Sequence, residues 1–235
     1  MEPGDTKIMV LKIQKLKVLS TLVAMAFCSG CGFVGALGTP TPYESEIAAE
    51  YELVGDENRK ILVLVEQPAW LSTDANLRFY LTELINENLV RNAEIGPKQL
   101  IGYRKLSEQR RSRANFSELS PVEIGETLGA NIVLFVMIED YRLSGMGETN
   151  YYKGFLAAQS VLFDVATNRK VWPESAKSRA IRVGFEVERQ GREVAFIRLV
   201  NALAHCLVRY FYDCPWGKFK IADDRSGVGW ENWER

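Results

Sequence analysis

The chain of 235 residues has few of the side chains on which metal binding and acid–base catalysis depend. It contains one histidine, His205, and four cysteines at positions 28, 31, 206 and 214. Four cysteines are too few for a disulfide scaffold, and Cys28-x-x-Cys31 has no second pair at zinc-binding spacing. The Walker loop, the G-x-S-x-G elbow and the H-E-x-x-H motif are also missing. The sequence therefore predicts no metal and no cofactor, and it favours a protein that is not an enzyme.

An excess of charge of one sign is missing as well. Lys and Arg number 29 and Asp and Glu number 30, so the formal net charge is −1. This balance gives no general reason to expect nucleic acid as a partner. Apolar residues make up 47% of the chain, which is enough for a hydrophobic core in a domain of ordinary size.

The N-terminal end has the layout of an export signal. Lysines precede an almost entirely apolar segment, residues 18–27, and small residues follow it. Residues 27–31, Phe-Cys-Ser-Gly-Cys, resemble the lipobox of bacterial lipoproteins, with Cys28 where that family usually has leucine. The resemblance implies that residues 1–30 are removed as a signal peptide and that the sulfur of Cys31 carries a lipid. Gly32 after the cysteine implies delivery to the outer membrane.

Two other interpretations of this segment stay open. Residues 18–37 carry no charge, and a run of this length could cross a bilayer as an uncleaved helix. Plain secretion is the third interpretation. All three place the folded part outside the cytoplasm, in the periplasm if the chain is lipidated. The expected partners are the membrane, through the lipid anchor, and a protein of the cell envelope.

Composition divides the rest of the chain into three parts. Residues 31–57 contain glycines and the run Thr-Pro-Thr-Pro, which predicts a flexible tether spanning about 25–30 Å. Within it, residues 46–53 alternatively form a short helix or strand on the folded part. Residues 58–213 are expected to form the globular domain, and residues 214–235 an aromatic-rich tail.

Hydrophobic periodicity predicts the elements of the globular domain. Strands are expected at 61–65, 98–106, 131–142, 151–166 with a continuation at 170–172, and 180–187. Helices are expected at 76–91, from Ser120 to Ala130, and at about 193–212. The order β-α-β-α-β-β-β-α predicts an α/β (α+β) fold: a mixed sheet with an antiparallel meander, flanked by helices on one side.

This order, following a lipobox, resembles a group of bacterial envelope proteins. The group comprises the curli-secretion lipoprotein, the lipoprotein activators of penicillin-binding proteins and the N-terminal domain of the Tol–Pal translocation protein. The likeness lies in residues 60–65, residues 124–138, and the pattern Gln159, Leu162, Asp164, Thr167, Val171 and Trp172. It implies a binding or assembly role without catalysis. The connections at 144–150 and 167–169 are too short for the inserted hairpins of a pore.

The candidate binding residues are basic and aromatic. Residues 103–113 are either a solvated basic loop or a contact for an anionic partner, such as lipid headgroups or an acidic protein face. Tryptophans of the tail either fold back on the domain or anchor a partner. The candidates are Arg104, Lys105, Arg110, Arg111, Arg113, Trp230 and Trp233.

The last helix carries a narrow polar stripe on an otherwise apolar circumference. The stripe consists of Arg198, Asn201, His205, Arg209 and Asp213. Such a helix either packs against the sheet and the first helix or offers a surface for a partner or a second copy of the chain, so a homo-oligomer is one expectation. Cys206 and Cys214 are expected to be two separate thiols. A subunit of an oligomeric secretion complex, or a cell-wall hydrolase with an unrecognised site, are the alternative functions.

Overall fold

The chain folds around a six-stranded mixed sheet. The computed structural model describes residues 45–53, 58–71, 76–147, 150–189 and 191–221. Its strands are β1 (Glu46–Ile47), β2 (Ile61–Glu66), β3 (Leu100–Ile101), β4 (Ile132–Gly145), β5 (Tyr152–Asp164), β6 (Arg169–Trp172), β7 (Arg179–Glu188) and β8 (Cys214–Pro215). Its helices are α1 (Leu77–Asn92), α2 (Tyr103–Ser112), α3 (Pro121–Leu128), α4 (Arg192–Val208) and α5 (Trp216–Ile221).

The topology of the sheet confirms the predicted α/β class. The strand order is β3-β2-β4-β5, and both β6 and β7 pair with the far edge of β5. Strand β2 is parallel to β3 and β4, whereas β4, β5, β6 and β7 form an antiparallel meander. Residues 170–172 do not continue β5. They belong to the separate strand β6, because Asp164 accepts hydrogen bonds from the backbone N–H and hydroxyl of Thr167, at 2.8 and 2.7 Å, and closes a turn between the two strands.

Helices cover both faces of the sheet, so the expectation of helices on one side was wrong. Ile61, Val63 and Val65 contact the cluster formed with α1 and α4, while Leu62 and Leu64 contact the cluster formed with α2 and α3. Successive side chains of a strand point to opposite faces. An uninterrupted apolar strand therefore needs a helical layer on each side.

Residues 98–106 are not the predicted strand. Strand β3 has two residues, and α2 begins directly after Gly102, whose backbone lies in the extended region with φ −65° and ψ 149°. Leu106 is the one buried residue of α2, so this polar helix has little of the apolar periodicity by which helices are recognised. The basic segment is thus a helix and not a loop.

Apolar periodicity placed α1 correctly, and the capping motif at Ser120 placed α3. The side chain of Asn76 accepts from Phe79 N at the start of α1. Ser120 and Glu123 form a capping box at the start of α3, and Gly129 ends that helix with φ 73°. Helix α4 ends at Val208, earlier than expected, because the chain then turns to bury Tyr210 and Phe211.

The two ends of the described region pair with each other. Strand β1 is antiparallel to β8, so the strand alternative for residues 46–53 is the one observed. Glu50 N donates to Tyr210 O at 2.9 Å, and the Glu50 carboxylate accepts from Trp172 Nε1 at 2.9 Å. Within the described ranges, no helix is both long enough and apolar enough to span a bilayer.

We predict that Gly154→Ala destabilises the fold by about 1–3 kcal/mol, because the added methyl overpacks the core. A Cβ atom at Gly154 in β5 would lie 2.6 Å from Cζ of Phe185, a ring that is 5% exposed. Gly145→Ala is the matched control, since its Cβ would meet nothing closer than Tyr152 Cε1 at 3.7 Å. Urea denaturation measures both variants, and equal free energies of unfolding would contradict the packing argument.

Candidate functional site

Three of the five candidate basic residues make structural contacts. Lys105 Nζ donates to Leu128 O at 2.9 Å and thereby binds a carbonyl at the C-terminal end of α3. Arg110 Nη2 lies 2.6 Å from Glu66 Oε1, and its guanidinium carbon is 5.2 Å from the ring centre of Phe116. Arg113 donates to side chains of the α2–α3 loop and of α3 at 3.1 and 3.2 Å, namely Asn115 and Thr127.

The pair of Glu66 and Arg110 lies at the carboxyl end of β2. Burial raises the pKa of Glu66, and the charges of Arg110 and Arg78 act in the opposite direction. Burial likewise lowers the pKa of Arg110, against the charge of Glu66. Both shifts express the cost of removing the two charges from water, and the pair holds α2 against the sheet.

The other two basic residues, Arg104 and Arg111, are exposed. The Arg104 side chain is 93% exposed, and its Nε lies 3.8 Å from Oε1 of Glu108, a pair too open to water to fix either side chain firmly. Arg104 and Arg111 flank a groove of about 440 Å³ between α1 and α2. We name this the α1–α2 groove, and its lining includes Phe79, Glu83, Tyr103, Arg104, Ser107 and Arg111.

Aromatic rings that the sequence did not single out line this groove and continue along α1. The ring centres of Phe79 and Tyr103 are 5.3 Å apart with the planes at 72°. Phe79 contacts Tyr80 in the same edge-on manner, and Tyr80 contacts Phe196 of α4. Phe79 and Tyr80 are exposed by 37% and 39%. Arginine guanidiniums beside aromatic rings are suited to binding, since they donate hydrogen bonds and offer contact area.

One sequence signal pointed to this surface. Leu77, Leu81 and Ile85 fix the buried face of α1, so at least one of the adjacent aromatics Phe79 and Tyr80 had to point away from the core. Trp70, in the loop after β2, is also exposed, by 72%. The pairing of α1 with α2 carries no such signal, because it depends on the fold of the whole chain.

The polar stripe of α4 binds the terminal segments of the described body. His205 Nε2 lies 3.2 Å from Lys218 O, and Arg209 Nη1 donates to Phe219 O. Asp213 Oδ1 accepts from Ala49 N at 3.0 Å. Residues 202–210 are buried. This part of α4 is therefore covered by the chain itself.

The remaining residues to be placed are the cysteines and the aromatic residues of the predicted tail. No disulfide joins Cys206 and Cys214, as predicted; both are buried, and burial raises the pKa of the Cys214 thiol. No group of three or more His, Cys, Asp or Glu side chains in the described ranges could hold a metal ion. Phe219 packs on Tyr210, with ring centres 5.6 Å apart. Three candidates lie outside the described residues: Cys31, Trp230 and Trp233.

We predict that Arg110→Met lowers the free energy of unfolding by about 1–3 kcal/mol, because Glu66 loses its closest partner. Arg104→Met is the control on the same helix. Its side chain is almost fully exposed, so we expect a change within about 0.5 kcal/mol. Urea denaturation measures both variants. Similar losses would contradict the interpretation that Arg110 stabilises the fold and Arg104 does not.

The pH dependence of stability tests the contact between His205 and α5. Burial lowers the pKa of His205 from its ordinary value of 6.5, with the charges of Arg209 and Lys218 in support and the hydrogen bond to Lys218 O opposing. As the pH falls, the histidine of the unfolded chain is therefore protonated at a higher pH than His205 of the folded chain. The free energy of unfolding consequently decreases as the pH passes below the ordinary histidine value of 6.5.

In the variant His205→Gln, a side-chain amide N–H replaces the imidazole N–H as a donor to Lys218 O, and the side chain does not titrate. Between about pH 7.5 and about pH 5.5 we expect the wild type to lose more stability than this variant. Urea midpoints at the two pH values supply the measurement. If both proteins lose the same stability between the two pH values, His205 is not the group whose titration causes the loss.

No family model matches the chain, and no curated protein matches it. Its fold is similar to solved structures that include a PelC dodecamer from Paraburkholderia phytofirmans, with 12% identity, 72% of this chain and 95% of that chain covered, and a TM-score of 0.41. Lipoprotein GNA1162 from Neisseria meningitidis shows 19% identity, coverage of 54% and 83%, and a TM-score of 0.36. The LpoB C-terminal domain from Salmonella enterica shows 21% identity, coverage of 58% of this chain and 84% of that chain, and a TM-score of 0.31. TM-scores below 0.5 transfer neither partner nor activity to this chain.

Proposed function

We propose that this chain is a lipoprotein of the bacterial cell envelope that binds or helps to assemble envelope components without catalysing a reaction. The observation that carries the proposal is Cys31, which follows an apolar segment and the small residues Ser29 and Gly30. The signal peptide, residues 1–30, is removed, and the Cys31 sulfur carries the lipid. Gly32 favours the outer membrane.

The organisation of the chain follows from this anchor. Residues 31–44 connect the lipid to the folded domain, which includes the end of the predicted tether in β1 and the start of the predicted tail in β8. A lipid with two or three acyl chains holds a protein on a membrane far better than one chain does. The folded domain then works in the periplasm at the reach of its tether.

The described surface supports a binding role. Arg104 and Arg111 are exposed on a helix that Lys105 and Arg110 fix to the body. Because the helix itself is already ordered, only the two exposed side chains lose freedom when a partner binds, which favours affinity. Guanidiniums at neutral pH remain protonated and act as donors, so they suit recognition of anionic groups better than proton transfer.

The anchor is tested by metabolic labelling with an alkyne analogue of palmitate, combined with the mass of the mature N-terminus. We expect the wild type to be labelled and cleaved before Cys31. We expect Cys31→Ser to lose the label completely and to remain uncleaved, because the acyl-accepting sulfur is gone. Cys28→Ser is the matched control, since this thiol is removed with the signal peptide, and it should be labelled like the wild type.

Two results would contradict the anchor. An unlabelled wild-type chain with an intact leader would favour the uncleaved membrane helix. Label retained in Cys31→Ser would place the lipid on another residue.

A further inference from the structure

We propose that the α1–α2 groove is the docking site for an acidic, extended segment of a partner polypeptide. An apolar side chain of that segment packs against Phe79 and Tyr103 in the space beside their rings, and carboxylates on either side of it bind Arg104 and Arg111. The inference deepens the proposed function and rests on it, because it names the kind of partner that the lipoprotein holds.

The groove exists because β3 is shorter than β2. The register pairs Leu62 with Ile101, where β3 ends, whereas β2 continues to Glu66. Beyond Ile101, α1 on one face of the sheet and α2 on the other meet across the edge of β2. Phe79 and Tyr103 are in edge contact there, and the space of about 440 Å³ beside them has room for side chains of a partner.

The charges around the groove favour an anionic occupant. Arg104 and Arg111 are two helical turns apart, so they project from the same side of α2 with Cα atoms about 10 Å apart. Glu83 is the one acidic residue among those that line the groove in the described part of the chain, and Glu108, 3.8 Å from Arg104, is the carboxylate that a partner's acidic side chain would replace. An arginine guanidinium binds carboxylates through two parallel hydrogen bonds.

These distances define the sequence that fits. In an extended segment, residues i, i+2 and i+4 point to one face, and i and i+4 are about 13 Å apart. The flexible arginine side chains bridge the difference from 10 Å. The groove therefore selects the pattern acidic, any, apolar, any, acidic. A flat layer of anionic lipid headgroups could reach Arg104 and Arg111, but it could not place an apolar group in the space beside the rings.

Selection from a random library of displayed 12-residue peptides tests the proposal, with the full chain in detergent micelles as the target. We expect enrichment of peptides with two acidic residues four positions apart and an apolar residue midway. A synthetic peptide with this pattern should bind the double variant Arg104→Glu/Arg111→Glu at least tenfold more weakly. The control Lys153→Glu/Arg182→Glu makes the same change of charge at exposed positions of β5 and β7 and should bind like the wild type.

A second variant tests the aromatic half of the site. Phe79→Ser should also weaken the synthetic peptide about tenfold, and its urea midpoint shows whether the fold is retained. Enriched peptides without the acidic pattern, or equal binding to the double variant, overturn the proposal. So does a double variant that releases phosphatidylglycerol vesicles but keeps the peptide, since the arginines would then face a membrane. The peptide-binding readouts do not depend on acylation, so they fail separately from the Cys31 labelling.

Discussion

The burial of β2 on both of its faces is the constraint from which the rest of the structure follows. Residues 61–65 are all at most 1% exposed. Full burial of a valine, leucine or isoleucine contributes about 1.5–3 kcal/mol, more than an exposed ion pair at about 0–1 kcal/mol. A strand of this kind is stable only between two layers of helices. Because β3 covers only its first two residues, those layers meet beyond the strand and create the α1–α2 groove.

The basic residues of α2 fall into two groups according to their position on the helix: some contact the folded body and others face solvent. Lys105 and Arg110 point towards α3 and β2 and hold the helix in place, whereas Arg104 and Arg111 point to solvent. Side chains already bound to acceptors of the folded body have little capacity left for a partner. The two groups therefore depend on each other, since the exposed arginines are well placed only because the others fix their helix.

Local sequence signals were sufficient for some elements and not for others. Helix α3 could be predicted because Ser120, Glu123 and Gly129 contain both of its caps within a few residues. Helix α2 could not, because Leu106 is its one buried residue and gives no period. The adjacent aromatics of α1 gave a signal for an exposed ring, but the pairing of α1 with α2 gave none, since the contact of Phe79 with Tyr103 follows from the length of β3. The stripe on α4 was visible, but its partners turned out to include the carbonyls of Lys218 and Phe219.

The pairing of β1 with β8 has a mechanical consequence. The ribbon consists of two residue pairs next to a hydrogen bond from Trp216 N to Ser45 O, and a pull on the chain ahead of Ser45 loads that bond first, then Glu46 and Pro215, and then Ile47 and Cys214. Such a ribbon unzips one pair at a time under a small force. The next contacts along the chain are those of Ala49 with Asp213 and of Glu50, whose carboxylate bonds to Trp172 and Arg179 and so transmits tension to two strands of the main sheet. The short β1–β8 ribbon therefore separates before the contacts of Glu50 break. The core keeps its structure while the ribbon opens.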